Sequence, residues 1–439
     1  MSSLKPLASL LTLCLMPLAS QASGTLVGWA SLPAATFAGG PTSGQFIGAG
    51  PFNDGHVPPF QQPVQGFSAI LNGPAPGTYY VMADNGYGAK GNSADTLLRM
   101  YAVRVDWASR SVLPVSFTDG SARTAFTPDT YITLRDPDGK LGYKITAEFA
   151  NYPNGANNIP VDAGIAAGRL LTGYDLDPES VRQDKNGNFW FGDEFGPFLV
   201  KTDAQGKVLR QEIPLPGVMA PQNPYLGSAT PNLPTSRGFE GMALNAAGTR
   251  LYTLLEGTVT GDPARSLRIN EFDLASEAYT GFQAFYRLDP QAAAIGDFTA
   301  VDAHRYLVIE RDNGQGATAQ FKRVFLADLS LIDADGFVAK TEVLDLMNIA
   351  DPDDLNGDGS TLFSFPFVTI ESVLVVDAHT LLITNDNNFP FSAGRAAGIA
   401  DNDEFILVRL AQPVPEPETW AMLLAGLGLV GWMARRRRG

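Results

Sequence analysis

The stretch "GFEGMALNAAGTRLYTLLEG" (residues 238–257) begins and ends on a glutamate–glycine pair, with a turn signal at residues 245–248 between them. Apolar and β-branched residues flank that turn, which predicts two short strands joined as a hairpin. In an antiparallel hairpin the start of the first strand and the end of the second share one edge. Glu240 and Glu256 are therefore expected side by side.

The layout recurs along the chain. "DPESVRQDKNGNFWFGDEFG" (177–196), "IGDFTAVDAHRYLVIERDNG" (295–314) and "IESVLVVDAHTLLITNDNN" (370–388) repeat it, and "QGFSAILNGPAPGTYYVMADNG" (65–86) does so more loosely. Further strand-like pairs follow in "FLVKTDAQGKVLRQEIPLP" (198–216), "SLRINEFDLASEAYTGFQAFYRLD" (266–289) and "KRVFLADLSLIDADGFVAKTEVLDL" (322–346). Four antiparallel strands per unit, repeating at about 60 residues, is the pattern of β-propeller blades. The predicted class is all-β, a β-propeller of about six blades with five or seven open, and a pair of β-sandwiches is the competing architecture. Residues 112–165 read as an irregular blade or an insertion. Residues 25–37 and 404–411 are strand-like ends able to close the ring together.

If the units are blades, the hairpin edges face one mouth of a central channel. The same geometry then sets Glu179 beside Asp193 and Glu194, Asp297 beside Glu310 and Asp312, and Glu371 beside Asp386, with Asp84 at the equivalent place in the first unit. Carboxylates held this close raise one another's pKa and settle with a cation or a shared proton. Oxygen-only donors suit Ca²⁺ or Mg²⁺. This assigns Glu179, Glu194, Glu240, Glu310 and Glu371 as candidate catalytic acids, and Arg237, Arg311 and Arg395 as clamps for phosphate or carboxylate oxygens. Asp84, Asp193, Glu256, Asp312, Asp386 and Asn387 are the candidate metal ligands. "DLNGDG" (354–359) adds a second set, Asp354, Asn356 and Asp358, spaced like the first half of a calcium loop. Phe365 stands where such a loop would end in an acid, so an ordinary Asx turn explains the stretch equally well. Solvated or capping acids at strand ends are the bland alternative for each carboxylate taken alone.

Of the three histidines, His304 and His379 fall in twin "VDAH" turns at the opposite hairpin end, and His56 lies in a Pro/Gly-rich loop. Neither a nucleophile elbow nor an H-E-x-x-H motif is present.

The chain's ends carry addresses. Residues 1–22 combine Lys5, a short apolar run and the small-residue site at Ser20, Gln21 and Ala22, as a secretory signal peptide does. The single cysteine of the chain, Cys14, lies within it, so the exported body has neither disulfide nor thiol chemistry. At residues 413–439 a Val-Pro-Glu-Pro motif precedes an apolar run, 420–434, and four arginines, 435–438. This resembles a PEP-CTERM sorting signal, which implies processing by an exosortase in a Gram-negative bacterium; a simple short membrane helix is the plainer reading. The body, residues 23–412, is then exported to the envelope, outer surface or medium, touching membrane only through that signal. The formal charge of −15 repels nucleic acid and attracts cations.

Together "DPESVRQDKNGNFWFGDEFGP", "RGFEGMAL", "VIERDNG" and "IESVLVVDAHTLLITNDNNF" resemble the phytase-like family described by its esterase-like activity, over about residues 66–410. The resemblance implies a propeller and an ester hydrolase, with phosphate esters suggested by the family's name and calcium by analogy to propeller phytases. The leading expectation is an exported, metal-assisted hydrolase of small phosphate esters. The alternatives are a non-catalytic surface or matrix propeller that binds a ligand at the same mouth, and a lactonase-like hydrolase of carboxylic esters.

Overall fold

The computed structural model describes residues 22–154 and 158–414. The expected signal peptide, save Ala22, and the C-terminal apolar run and arginines lie outside the described residues. Among those residues no helix is long and apolar enough to cross a membrane.

Five four-stranded antiparallel units form the body among the described residues, three as separate sheets and two joined by a parallel bridge, Ser31 to Ser111, within one larger sheet. Their first strands are Phe67–Asn72, Pro178–Gln183, Gly241–Leu244, Ala294–Ala300 and Thr369–Asp377, and these define units I to V in chain order. Each first strand packs against that of the next unit, and the strand of unit V packs against that of unit I. The ring is closed. Three strands of unit V come from the end of the chain, and the fourth is Gly24–Leu32 from its beginning, paired along Asp403–Leu410.

Alternation along the strands explains why the sheets stack radially. Successive side chains point to opposite faces, so a sheet buried on both faces is apolar on both. In unit II, Phe189 and Phe191 join Met100 and Leu98 in the core between units I and II. Trp190, between them in sequence, joins Met242, Leu251 and Phe272 in the core between units II and III. Three comparable clusters fill the remaining gaps between neighbouring units. Each fully buried large side chain contributes about 1.5–3 kcal/mol.

Among the described residues, residues 112–165 add no further four-stranded unit to the ring. Beyond the end of strand Ser111–Pro114, that region supplies a three-residue strand, Tyr131–Thr133, paired to unit I, and a 3-10 turn, Thr146–Glu148. The chain's short α-helix, Ala163–Gly168, caps the end of the same insertion. It is a lobe packed over units I and II.

Candidate functional site

Four of the five first strands have the same irregularity at one end. Strand pairing skips Ser68 in unit I, Glu179 in unit II, Gly296 in unit IV and Glu371 in unit V. In unit III, Glu240 directly precedes the first paired residue, and its N–H bonds to Gly238 O, as the Ser68 N–H bonds to Gly66 O. A bulge of this kind frees one residue from the ladder and re-aims its side chain.

The exit of the second strand meets this position. The N–H groups of Asp84, Glu194 and Glu256 donate to Gly66 O, Asp177 O and Gly238 O, so these three acids occupy one structural position. Arg311 and Asp386 occupy it in units IV and V. Unit IV thus carries Gly296 and Arg311 where its neighbours carry acids. A Cβ on Gly296 would lie 1.9 Å from Ile370 O, so the backbones of units IV and V touch there.

These residues enclose a cavity of ≈ 180 Å³ at the mouth of the channel. Eight carboxylates line it, from Asp84, Asp177, Glu179, Glu194, Glu240, Glu256, Glu371 and Asp386, against two guanidinium groups, Arg237 and Arg311. Arg237 Nη1 lies 2.5 Å from Glu256 Oε1. Arg311 Nη2 lies 3.3 Å from Glu371 Oε1 and 3.6 Å from Glu256 Oε1. Ser68 Oγ donates to Glu371 Oε2 at 3.1 Å.

The eight acids outnumber the two guanidinium groups. Buried Asp177 Oδ1, Glu194 Oε1 and Glu240 Oε1, together with Glu179 Oε2, accept no hydrogen bond. Burial, then the neighbouring acids, push the carboxyls of Asp84, Glu179, Glu194 and Glu240 well above the ordinary range. Burial likewise lifts Glu371 to about 8, and Asp177 and Asp386 to about 6. Glu256 rises less, burial being opposed by Arg311 and Arg237. Two groups within the cavity bring carboxylate oxygens within 4.8 Å of one another: Asp84, Asp177 and Glu179, and Glu194, Glu240 and Glu256. Each could hold a metal ion.

Nine of the residues expected at the mouth are there: Asp84, Glu179, Glu194, Glu240, Glu256, Glu371, Asp386, Arg237 and Arg311. Others are directed elsewhere for reasons local to each. Glu310 precedes Arg311 on a strand, so it faces the other way, into hydrogen bonds with Tyr286 and with Asp289 N–H and an ion pair with Lys340. Asp193 accepts from the N–H groups of Asp177 and Gly196 and fixes the strand exit. Asn387 accepts from Gly66 N–H and donates to Asp401 O, while Asp312 pairs with Lys322. Arg395 binds Glu404 through Nε and Nη2 and lines a separate pocket. In the 354–359 loop, Asp354 accepts from Gly359 N–H, and Asn356 donates to Asp358, so the oxygens close a turn.

Asp177 escaped the sequence reading although it stands two residues before Glu179. Its signal was present: residues two before the bulge, Gly66, Asp177, Gly238 and Thr369, all border the cavity or supply its backbone.

The family described as having the esterase-like activity of phytase matches residues 62–389. The chain belongs to the phytase-like family. The match covers the closed ring from the entry of unit I to the exit of the second strand of unit V. Residues 413–438 match the PEP-CTERM protein-sorting motif. An uncharacterized secreted protein of Arthroderma benhamiae is 23% identical over 239 residues, covering 43% of this phytase-like chain and 46% of that protein. The match thus spans about half of that relative's length. The protein is exported, to the cell envelope or beyond it. Among solved structures, the exo-β-1,3-galactanase of Phanerochaete chrysosporium aligns at TM-score 0.39 and 10% identity, covering 87% of this chain and 64% of that one. The Dos1 propeller aligns at TM-score 0.30 and 9% identity, over 78% and 66%. The propeller assignment rests on the closed ring itself.

Proposed function

We propose that the mouth cavity is the reaction centre of an exported hydrolase of phosphate esters that works with divalent cations. The observation that carries this is the set of buried carboxylate oxygens left without a donor, gathered in two groups of three acids. An all-oxygen, hard donor set fits Ca²⁺ first, with Mg²⁺ as the smaller alternative. Asp84, Asp177 and Glu179 would hold one ion, and Glu194, Glu240 and Glu256 a second. A bound divalent ion supplies charge stabilisation to a phosphoryl oxygen and acidifies water.

The chain's own groups do the rest. Glu371 lies outside both groups of three and is oriented by Ser68 and Arg311. It is the general base, taking the proton of the attacking water and returning it to the departing alcohol. Arg237 and Arg311 stand where charge develops on the transferring group. Water and ester give alcohol and phosphate, with no further reactant.

The test is a panel of chromogenic phosphate and carboxylic esters with the purified protein, with and without a chelator. The expected result is phosphate-ester turnover that stops in chelator and returns with Ca²⁺. Absence of turnover on every ester, with bound metal found by elemental analysis, would transfer support to a ligand-binding surface propeller.

A further inference from the structure

Beside the acidic cavity lies a larger pocket of ≈ 670 Å³, within the size range of small-molecule sites. The two share their walls. One loop gives Gly88 to the cavity and Lys90 to the pocket; one entry segment gives Asp177 to the cavity and Asp175 to the pocket. Gln222 of the pocket donates to Ser236 Oγ of the cavity at 2.8 Å. The two walls are pressed together: a Cβ on Gly173 would lie 1.9 Å from Asn85 O.

The pocket's chemistry is the reverse of the cavity's. Tyr143, Phe149, Tyr174 and Tyr225 line it, with Lys90 and Lys144. Its one acid is already engaged, since the Asp175 carboxylate accepts from the N–H groups of Thr146 and Thr172. Lys90 takes part in no ion pair among the described residues. Its Nζ reaches Gln222 O at 3.5 Å and stands 4.9 Å and 5.1 Å from the ring centroids of Tyr174 and Phe195. This half-buried ammonium, with one long hydrogen bond and with Asp193, Asp175 and Asp177 as its charged neighbours, has donors left for an anionic oxygen.

We propose that this pocket is a subsite for a planar aromatic group on the alcohol side of the ester, with Lys90 meeting an anionic oxygen where pocket and cavity join. The inference rests on the hydrolase reading of the cavity. Aromatic walls give a planar ring surfaces to stack on. The lobe of residues 112–165, which supplies Tyr143, Lys144 and Phe149, then serves to select the substrate.

The probes are adenosine 5′-monophosphate and ribose 5-phosphate, which share the phosphate and its sugar linkage and differ by the planar base. Binding by calorimetry and turnover are both measured on the Ca²⁺-loaded protein. The expected result is an affinity for the adenosine ester at least about tenfold higher, the scale of one base–aromatic stack. That preference should vanish in Tyr174→Ala, return in Tyr174→Phe, and leave ribose 5-phosphate unchanged throughout. Equal affinity for the two esters would overturn the subsite while leaving the hydrolase reading intact. Tight, base-dependent binding without turnover would support the subsite and count against the hydrolase reading. Failure of both esters to bind would overturn the subsite.

Discussion

The two ends of the hairpins use the same residue types for opposite purposes. At the turn end, Asp184 accepts from the N–H groups of Asn186 and Asn188 and from Trp190 Nε1. Its partial burial is outweighed by those donors, and its carboxyl sits below the usual range. Asp377 is held low in the same manner by the His379 N–H. At the mouth end, Glu194 and Glu240 are buried with an oxygen facing no donor, and their carboxyls rise. An acid at a turn completes the fold. An acid at the mouth is left by it without a donor. Strand-end acids are therefore read by their donors and not by their position alone.

The sharpest way to break this contrast is to neutralise one acid at each end. Glu240→Gln at the mouth should lower phosphate-ester turnover by at least about 100-fold, the range expected when a positioned charged group is removed. Because it replaces an acid buried without a donor by a neutral group of the same shape, the melting temperature in chelator should hold or rise. Loss of folding in this variant would mean that Glu240 is structural and the two ends are alike. Asp184→Ala at the turn should do the opposite: a stability loss of about 2 kcal/mol by denaturant titration, with turnover per folded molecule unchanged. A third comparison comes from pH. The mouth carboxyls are raised in the folded state, so the folded chain binds more protons than the unfolded one between the two sets of pKa values. Stability in chelator is then greatest below about pH 4.5, where unfolded carboxylic acids also keep their protons. It declines as pH rises through the values of about 6 for Asp177 and Asp386 and about 8 for Glu371. Thermal melts across this window should show that decline, and saturating Ca²⁺ should flatten it. A flat profile in chelator would mean the acids are solvated.

Much of the mouth was legible because hairpin geometry is rigid. Once Glu240 and Glu256 were placed at one edge, Glu179, Glu194, Glu371 and Asp386 followed from the same spacing. The errors came from alternation at single-residue resolution. Glu310 and Arg311, or Asp386 and Asn387, are neighbours in sequence and face opposite ways, and a bulge decides which faces the channel. Arg395 looked close to the site because it follows "NDNNFPFSAG", but the chain turns away and binds it to Glu404. The lobe over units I and II was illegible for another reason. Its contacts are to segments outside it, through Arg135 to Leu170 and to Lys207, and no local period records them.

The closing seam of the ring has a consequence for export. Gly24–Leu32 is the first strand of the body to leave a secretion channel, and its partner, Asp403–Leu410, is the last. Trp29 donates to Glu404 across 375 positions of chain. Until that late arrival the early strand has an unpaired border, open to any passing polypeptide of matching shape. The ring therefore closes only when the last strand of the body arrives beside the first.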